Sequence, residues 1–360
     1  MRARRWAWLY RGESESGFMT TDALIDLGWS EHFAAEVADG EGPIARITSV
    51  HRSRAEAVGP DGPMTLAPGD TPLVVGDWVV VADDSVARVL PRRTVLARRA
   101  AGAESAAQLI AANVDTLAIV SSCNADFNVA RIERYLAMAL QAGCTPVIVL
   151  TKADECDDPD DFARRAAAIS PLAQAIVVNA KAAEDVRQLD ALCGPGQTLA
   201  LAGMSGVGKT TIRNALTGEE ALTAGIRADD ARGRHTTTSR QMRRTLAGGW
   251  LIDTPGMREL GLAEASAGIG ELFADIQALT EACKFRDCAH ESEPGCAVTA
   301  AVAAGALDKE RLERWRKLKR EEQVYTAGVA ETRSRQKGQQ RIYNEGTNRG
   351  RAKRGDSGRR

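Results

Sequence analysis

Residues Gly203, Met204, Ser205, Gly206, Val207, Gly208, Lys209 and Thr210 spell G-x-x-x-x-G-K-[ST]. The run sits between an apolar stretch, Thr198 to Ala202, and a helical pattern from Thr210 to Leu216. That context constrains the fold more than the letters do, because a phosphate loop works only where a strand passes into a helix N-terminus. Glycines let the backbone curl so that successive N–H groups face a β-phosphate, and the helix dipole adds partial positive charge at the same point. Lys209 is then expected to reach the β- and γ-phosphates, and the Thr210 hydroxyl to enter an octahedral Mg²⁺ shell, with Thr211 completing the nucleotide contacts.

At 360 residues the chain is long enough for two or three folding units. Its 44% hydrophobic and 26% charged content are those of a soluble globular protein. No apolar run approaches the roughly 18 residues that span a bilayer, and Trp6 to Tyr10 is too short for a secretory core before Arg11 intervenes. A cytoplasmic protein with no membrane partner is the expectation, and a monomer. The net charge of −1 hides an asymmetry: residues 331–360 carry 10 Lys plus Arg against 3 Asp plus Glu, roughly +7 in all.

Residues 1–35 are mixed, and Trp6, Trp8, Phe18, Trp29 and Phe33 read as packing residues. From 36 to 105 the texture becomes short β-like runs at 44–50, 72–75, 77–81 and 86–90, broken by Gly59, Pro60, Gly62, Pro63, Pro68 and Gly69. This predicts a small β-barrel, with a five-stranded oligonucleotide-binding (OB) fold as candidate and Arg46, His51, Arg52 and Arg54 available to phosphates. A barrel used only as a docking platform fits the same texture. Between 106 and 262 buried-strand runs at 114–121, 146–150, 175–178, 198–202, 241–246 and 250–252 alternate with helical patterns near 129–142, 160–169 and 184–192. Such alternation means an α/β unit with a parallel sheet covered by helices.

Within it, Thr151-Lys152-Ala153-Asp154 follows a strand and matches the [NT]-K-x-D element that reads guanine. Guanine shows an N1–H beside a 2-amino group, so Asp154 can accept two hydrogen bonds from it. Adenine would leave the carboxylate unpaired, at a cost of several kcal/mol. The stem of Lys152 can cover one face of the purine. Asn179-Ala180-Lys181 looks like the [SN]-A-K loop that contacts the guanine carbonyl, and Asp253-Thr254-Pro255-Gly256 fits the D-x-x-G turn. In that turn Asp253 holds Mg²⁺ through water and the Gly256 N–H bonds the γ-phosphate. G-R-H-T-T-T at 233–238 supplies a switch threonine. In an ordinary GTPase the phosphate loop precedes the guanine reader, whereas here it follows. A circular permutation keeps the fold, because domain termini often lie close together.

Cys283, Cys288, His290 and Cys296 give C-x₄-C-x-H-x₅-C, three thiolates and an imidazole within 14 positions. That set suits a closed tetrahedral structural Zn²⁺ site in a small unit spanning 263–330, with reduced unliganded cysteines as the alternative. Cys123, Cys144, Cys156 and Cys193 are scattered and read as small core or surface residues. After the cluster, 307–325 is a charged helical pattern with Leu312, Trp315, Leu318 and Val324 as its packing stripe. The segment 331–360, rich in Arg, Gly, Gln and Asn, is expected to be disordered.

Taken together these residues resemble the RsgA/YjeQ family of circularly permuted GTPases that depend on the small ribosomal subunit. The likeness covers about 42–322 and rests on V-G-D-W at 75–78, A-A-N-V-D at 111–115, G-R-H-T-T-T at 233–238, G-G-W-L-I-D-T-P-G-M-R-E-L at 248–260 and C-K-F-R-D-C-A-H-E-S-E-P-G-C at 283–296. It implies a multidomain chain: an OB-fold barrel, a permuted P-loop GTPase domain and a C-terminal zinc-binding helical domain. It further implies GTP/GDP, Mg²⁺ and one Zn²⁺ as cofactors, and binding to the small ribosomal subunit and its rRNA late in assembly, with release linked to hydrolysis. The basic tail suits rRNA phosphates or is merely solvated. Thr151 stands where Asn is commoner. Met257 stands where many GTPases carry a water-orienting glutamine, so slow intrinsic hydrolysis is expected, with His235 as a candidate for placing the water.

Overall fold

The computed structural model describes residues 17–99, 107–219, 240–253 and 265–328. The switch segment with His235, the turn residues Gly256 and Met257, and the basic tail lie outside them. Helices α1 (Gly17–Asp26) and α2 (Glu31–Ala34) lead into strands β1 (Ile44–Val50), β2 (Ala55–Gly59), β3 (Gly62–Leu66), β4 (Trp78–Ala82) and β5 (Ser85–Val89). β1 pairs antiparallel with both β2 and β4, β2 with β3, and β4 with β5. A parallel bridge between Ala67 and Ser85 then closes the ring. Alternating small and branched residues fill its interior, among them Ala45, Ile47, Ala57, Val79, Val81 and Val86.

The expected strand at 72–75 is not one. Asp77 draws that segment into a turn by accepting the Val74 N–H at 2.8 Å, leaving Val75 a single bridge to Ala111. Gly76 lies beneath the Ala112 carbonyl, where a Cβ would sit 2.0 Å from the oxygen. Ala111 and Ala112 belong to a separate hairpin, β6 (Val95–Arg99) with β7 (Ala107–Ala112).

The α/β unit follows as β8 (Thr116–Ser122), α3 (Val129–Ala142), β9 (Thr145–Thr151), α4 (Pro159–Ala167), β10 (Gln174–Val177), α5 (Ala183–Val186), β11 (Thr198–Ala202), α6 (Lys209–Thr217), β12 (Gln241–Arg244) and β13 (Trp250–Asp253). The spatial order is β10-β9-β8-β11-β13-β12, all parallel except β12. Chain progression runs outward from β8 on one side and restarts at β11 on the other. The sheet therefore has a topological switch point between β8 and β11, where ligands of open α/β sheets bind beyond the strand ends. One bridge, Ser49 to Gln241, joins β12 to β1, so barrel and α/β unit share an 11-stranded sheet.

Helices α7 (Ser266–Leu272), α8 (Ala274–Glu281), α9 (Ala297–Ala303) and α10 (309–328) complete the described chain. α10 buries Leu312, Trp315, Leu318 and Tyr325, whereas Val324 is 68% exposed. Tyr325, seven residues beyond Leu318, keeps the helical period that Val324 breaks. Flanking that stripe on α10, Arg314 and Arg311 meet the fully buried Glu133 of α3, and Arg134 meets Glu321. Burial raises the Glu133 carboxyl pKa, against the pull of Arg314. No helix among the described residues is long and apolar enough to cross a membrane.

Candidate nucleotide and metal sites

Parallel register brings the chemistry to one edge of the sheet. Ala202 at the end of β11 pairs with Ile119 of β8, Leu201 with Asp253 of β13, Thr151 of β9 with Ser122, and Val177 of β10 with Leu150. The phosphate loop, the acid of the D-x-x-G turn, the guanine reader and the Asn179 loop thus leave the sheet at the same end, though 151–154 and 179–181 precede 203 in the chain.

The loop glycines have distinct jobs. Gly203 takes φ +142 against the neighbouring strand, where a Cβ would lie 2.3 Å from the Val120 carbonyl oxygen. Gly206 and Gly208, at φ +82 and +93, turn the backbone into α6. Val207 is buried in the core and anchors the loop, while Ser205 and Thr210 are exposed and Met204 is partly so. Lys209 Nζ donates to the carbonyls of Gly203, at 2.7 Å, and Met204, so its ammonium already lies over the ring of amides. Thr211 is half-buried on the first turn.

Thr151 ties the guanine reader to this loop. Its fully buried hydroxyl lies 2.6 Å from the Val207 carbonyl and 3.0 Å from that of Ser121, and one proton serves one acceptor at a time. Threonine therefore supports the loop from the position where an asparagine was the expected residue. Lys152 is left-handed, at φ +59, which turns Asp154 out to the surface. There Asp154 Oδ2 accepts from Lys181 Nζ at 2.9 Å, and Lys181 also bonds Glu155 at 2.7 Å. The Lys181 hydrogen bond holds the Asp154 carboxyl below its usual range. Such an exposed pair is weak and exchanges readily for a better-aligned donor pair such as the edge of guanine. Asn179 closes its loop by accepting the Lys181 N–H at 3.0 Å, and Ala180 is buried beside it.

Asp253 ends β13 with Oδ2 2.7 Å from Arg213 of α6, a partner the spacing did not disclose. Arg46 departs from the expectation altogether. It is 1% exposed, and its guanidinium donates to the Leu27 carbonyl, the Asn113 carbonyl at 2.9 Å and the Thr198 hydroxyl at 2.8 Å, so it is not available to phosphates. β1 is buried on both faces because α1, α2 and the α/β unit cover the side that faces away from the barrel core. His51, Arg52 and Arg54 remain at least partly exposed.

The four metal-ligand candidates meet as expected, with their ligand atoms all within 4.8 Å of one another. Cys283 Sγ lies 3.5 Å from His290 Nδ1 and 3.9 Å from Cys296 Sγ, and Cys296 Sγ lies 3.8 Å from the same nitrogen. A tetrahedron of thiolates about 2.3 Å from zinc has edges of about 3.8 Å, so the donor set fits that ion. Its supports were not visible in the spacing. Glu293 folds over the ligand loop and accepts the N–H groups of Ala289, Glu291 and Ser292 at 2.7, 2.9 and 3.1 Å. Its own backbone N–H, then those of Ala289 and Glu291, hold its carboxyl down to about 2. Arg316 donates to the His290 carbonyl, and the Thr299 N–H reaches Cys296 Sγ at 3.5 Å. Cys123, Cys144 and Cys193 are buried, and burial pushes their thiols up to about 11, 12 and 11, so they pack rather than react.

Comparison with known proteins agrees with this arrangement. The sequence profile of the RsgA GTPase family matches residues 89–263. The chain is 50% identical over 319 residues to the small ribosomal subunit biogenesis GTPase RsgA of Mesorhizobium japonicum, covering 85% of this chain and 92% of that one. It is 46% identical over 322 residues to small ribosomal subunit biogenesis GTPase RsgA 2 of Vibrio parahaemolyticus, covering 88% and 90%. Among solved structures, YjeQ from Thermotoga maritima superposes with a TM-score of 0.56 at 25% identity, over 77% of this chain and 96% of that one. YloQ, described as a circularly permuted GTPase, shares the fold with a TM-score of 0.55 at 22% identity, over 85% and 98%. With half its residues shared across most of both chains, this GTP hydrolase belongs to the RsgA GTPase family.

Proposed function

We propose that the protein is a GTPase of small-ribosomal-subunit maturation, which binds the subunit and its rRNA in the cytoplasm as a monomer and leaves it when GTP is hydrolysed. The observation that carries this reading is the meeting of the 151–154, 179–181, 203–210 and Asp253 segments at one sheet edge. Asp154 selects guanine, Lys152 covers the base, and Asn179, Ala180 and Lys181 frame it. The amides of 203–208 and Lys209 grip the phosphates. Thr210 and Asp253 are the residues that would hold Mg²⁺, which when bound neutralises charge on the β- and γ-phosphates. Gly256 and His235 are assigned to the γ-phosphate and to water placement.

The closed ring of five strands supports an OB-fold barrel over 36–105, and the matched tetrahedral edges support one structural Zn²⁺ in 263–330. The permuted GTPase domain takes 106–262, with 1–35 and 331–360 as extensions. The permutation puts the D-x-x-G turn directly before α7, so nucleotide state acts on the zinc unit through the shortest stretch of chain. With Met257 after that turn, hydrolysis is slow alone and rises when the subunit orders the switch. GTP turnover measured with and without isolated small subunits tests this, with acceleration of at least tenfold expected. Binding without acceleration would instead make the protein a nucleotide-gated scaffold.

A further inference from the structure

Asp253, beside the phosphate loop, is paired by the structure with a cation of the chain itself. Arg213 stands one helical turn beyond Lys209 on α6, so the two share a helix face. Its Nη1 lies 2.7 Å from Asp253 Oδ2, with the side chains only 15% and 27% exposed. The remaining guanidinium nitrogens lie 3.1 and 3.3 Å from Asn214 Oδ1, a second anchor on the next residue. Thr210, three positions before Arg213, brings the other Mg²⁺ candidate to the same side of the helix.

We infer that Arg213 is a positioning residue that acts through Asp253: its guanidinium holds the carboxylate that would otherwise serve the metal, so Mg²⁺ enters this site by cation exchange. The inference rests on the assignment of Asp253 to Mg²⁺ made above. One carboxylate cannot serve an undisplaced guanidinium and a hydrated dication equally well, and each cation lowers the affinity for the other. Asn214 gives the displaced guanidinium a neutral partner, so the exchange strands no buried charge. Arginine suits the role better than an apolar residue because its planar fork engages both acceptors at once.

The test is release of a fluorescent GDP analogue from the full-length protein, followed across a Mg²⁺ titration. Arg213→Met and Arg213→Gln, checked for folding by their melting curves, remove the charge by different routes. Both are expected to lower the Mg²⁺ concentration that half-protects bound nucleotide by about fivefold, the upper end of what a solvent-accessible ion pair is worth. Arg213→Lys, which keeps the charge, is expected to stay within about twofold of wild type. An unchanged or higher midpoint in both neutral variants, or a lysine variant that behaves like them, overturns the inference while leaving the Mg²⁺ assignment standing. Wild-type release that ignores Mg²⁺ altogether removes both.

Discussion

Asp154 shows how much one exposed carboxylate can decide. It contributes little to stability where it stands, since its partner Lys181 is 64% exposed and the pair is solvated. In the proposed function its value lies in acceptor geometry, two oxygens that suit two adjacent donors of guanine. Asp154→Asn replaces one acceptor with an NH₂ that meets the 2-amino group head-on. GDP affinity is expected to fall by ~100-fold or more, while an analogue with a carbonyl at C2, xanthosine diphosphate, regains binding. Competition of the two diphosphates for wild type and variant measures this. Because Lys181 holds the free carboxyl below its ordinary range, the guanine preference proposed for it is expected throughout neutral and mildly acidic pH, and to be lost only as pH falls through that lowered pKa. The four-letter element that carries Asp154 and the meeting of Cys283, Cys288, His290 and Cys296 were legible in the sequence, because spacing along the chain brings those groups together. Thr151 on Val207, Arg213 on Asp253 and Glu293 over its loop were not: each role depends on which backbone group or charge the fold brings beside it.

At the scale of elements, regular hydrophobic period was readable and irregular packing was not. β11 and α3 fall on the predicted residues because buried alternation and a 3.6-residue stripe dominate them. β2 and β3 escaped notice since Gly59, Pro60, Gly62 and Pro63 look like breaks. They build the hairpin turn itself, with Pro63 already paired to Val58. The small α7, with one Ala and two Gly in seven residues, gives little periodic signal, yet it crosses α3 at close range. Gly268 presses on α3 so tightly that a Cβ would sit 2.0 Å from the Ala137 carbonyl oxygen and 2.7 Å from the Gln141 nitrogen. Two residues on, Gly270 has nothing within 4 Å of its missing Cβ. Gly268→Ala is therefore expected to cost about 2–3 kcal/mol as the helices are forced apart. Gly270→Ala in the same helix should be neutral, or stabilising by up to about 1 kcal/mol. Paired denaturant curves decide it, and equal gains in both variants would mean that helix propensity, not the crossing, governs α7.

Across the whole molecule, the described residues of the barrel and the α/β unit meet through little backbone, such as the Ser49 to Gln241 bridge, and much side-chain wedging. Trp29, between the first two helices, and Phe33 of α2 pack on Trp78 of the barrel, the Trp29 and Trp78 rings meeting edge to face with centroids 4.8 Å apart. Asn113, left-handed at φ +56, donates to the Gly76 carbonyl at 2.9 Å, and Asp115 accepts the Thr198 N–H at 2.8 Å. The V-G-D-W and A-A-N-V-D segments are thus the joint of the molecule rather than part of its chemistry. Arg46 is its pin, bonding the residue that follows α1, the 113 turn and β11 together. Burial pulls its pKa down to about 9, still above neutral pH, so the cation persists without a carboxylate in hydrogen-bonding contact. Arg46→Met keeps the volume but strips three buried acceptors of their donor, an expected loss of about 3–5 kcal/mol in unfolding free energy. Arg46→Lys, able to reach fewer of the three, should fall between. If Arg46 served a phosphate instead, Arg46→Met would weaken rRNA binding and leave the melting curve where it was. The buried geometry demands the reverse, a lowered melting temperature with rRNA affinity unchanged at temperatures where the variant remains folded.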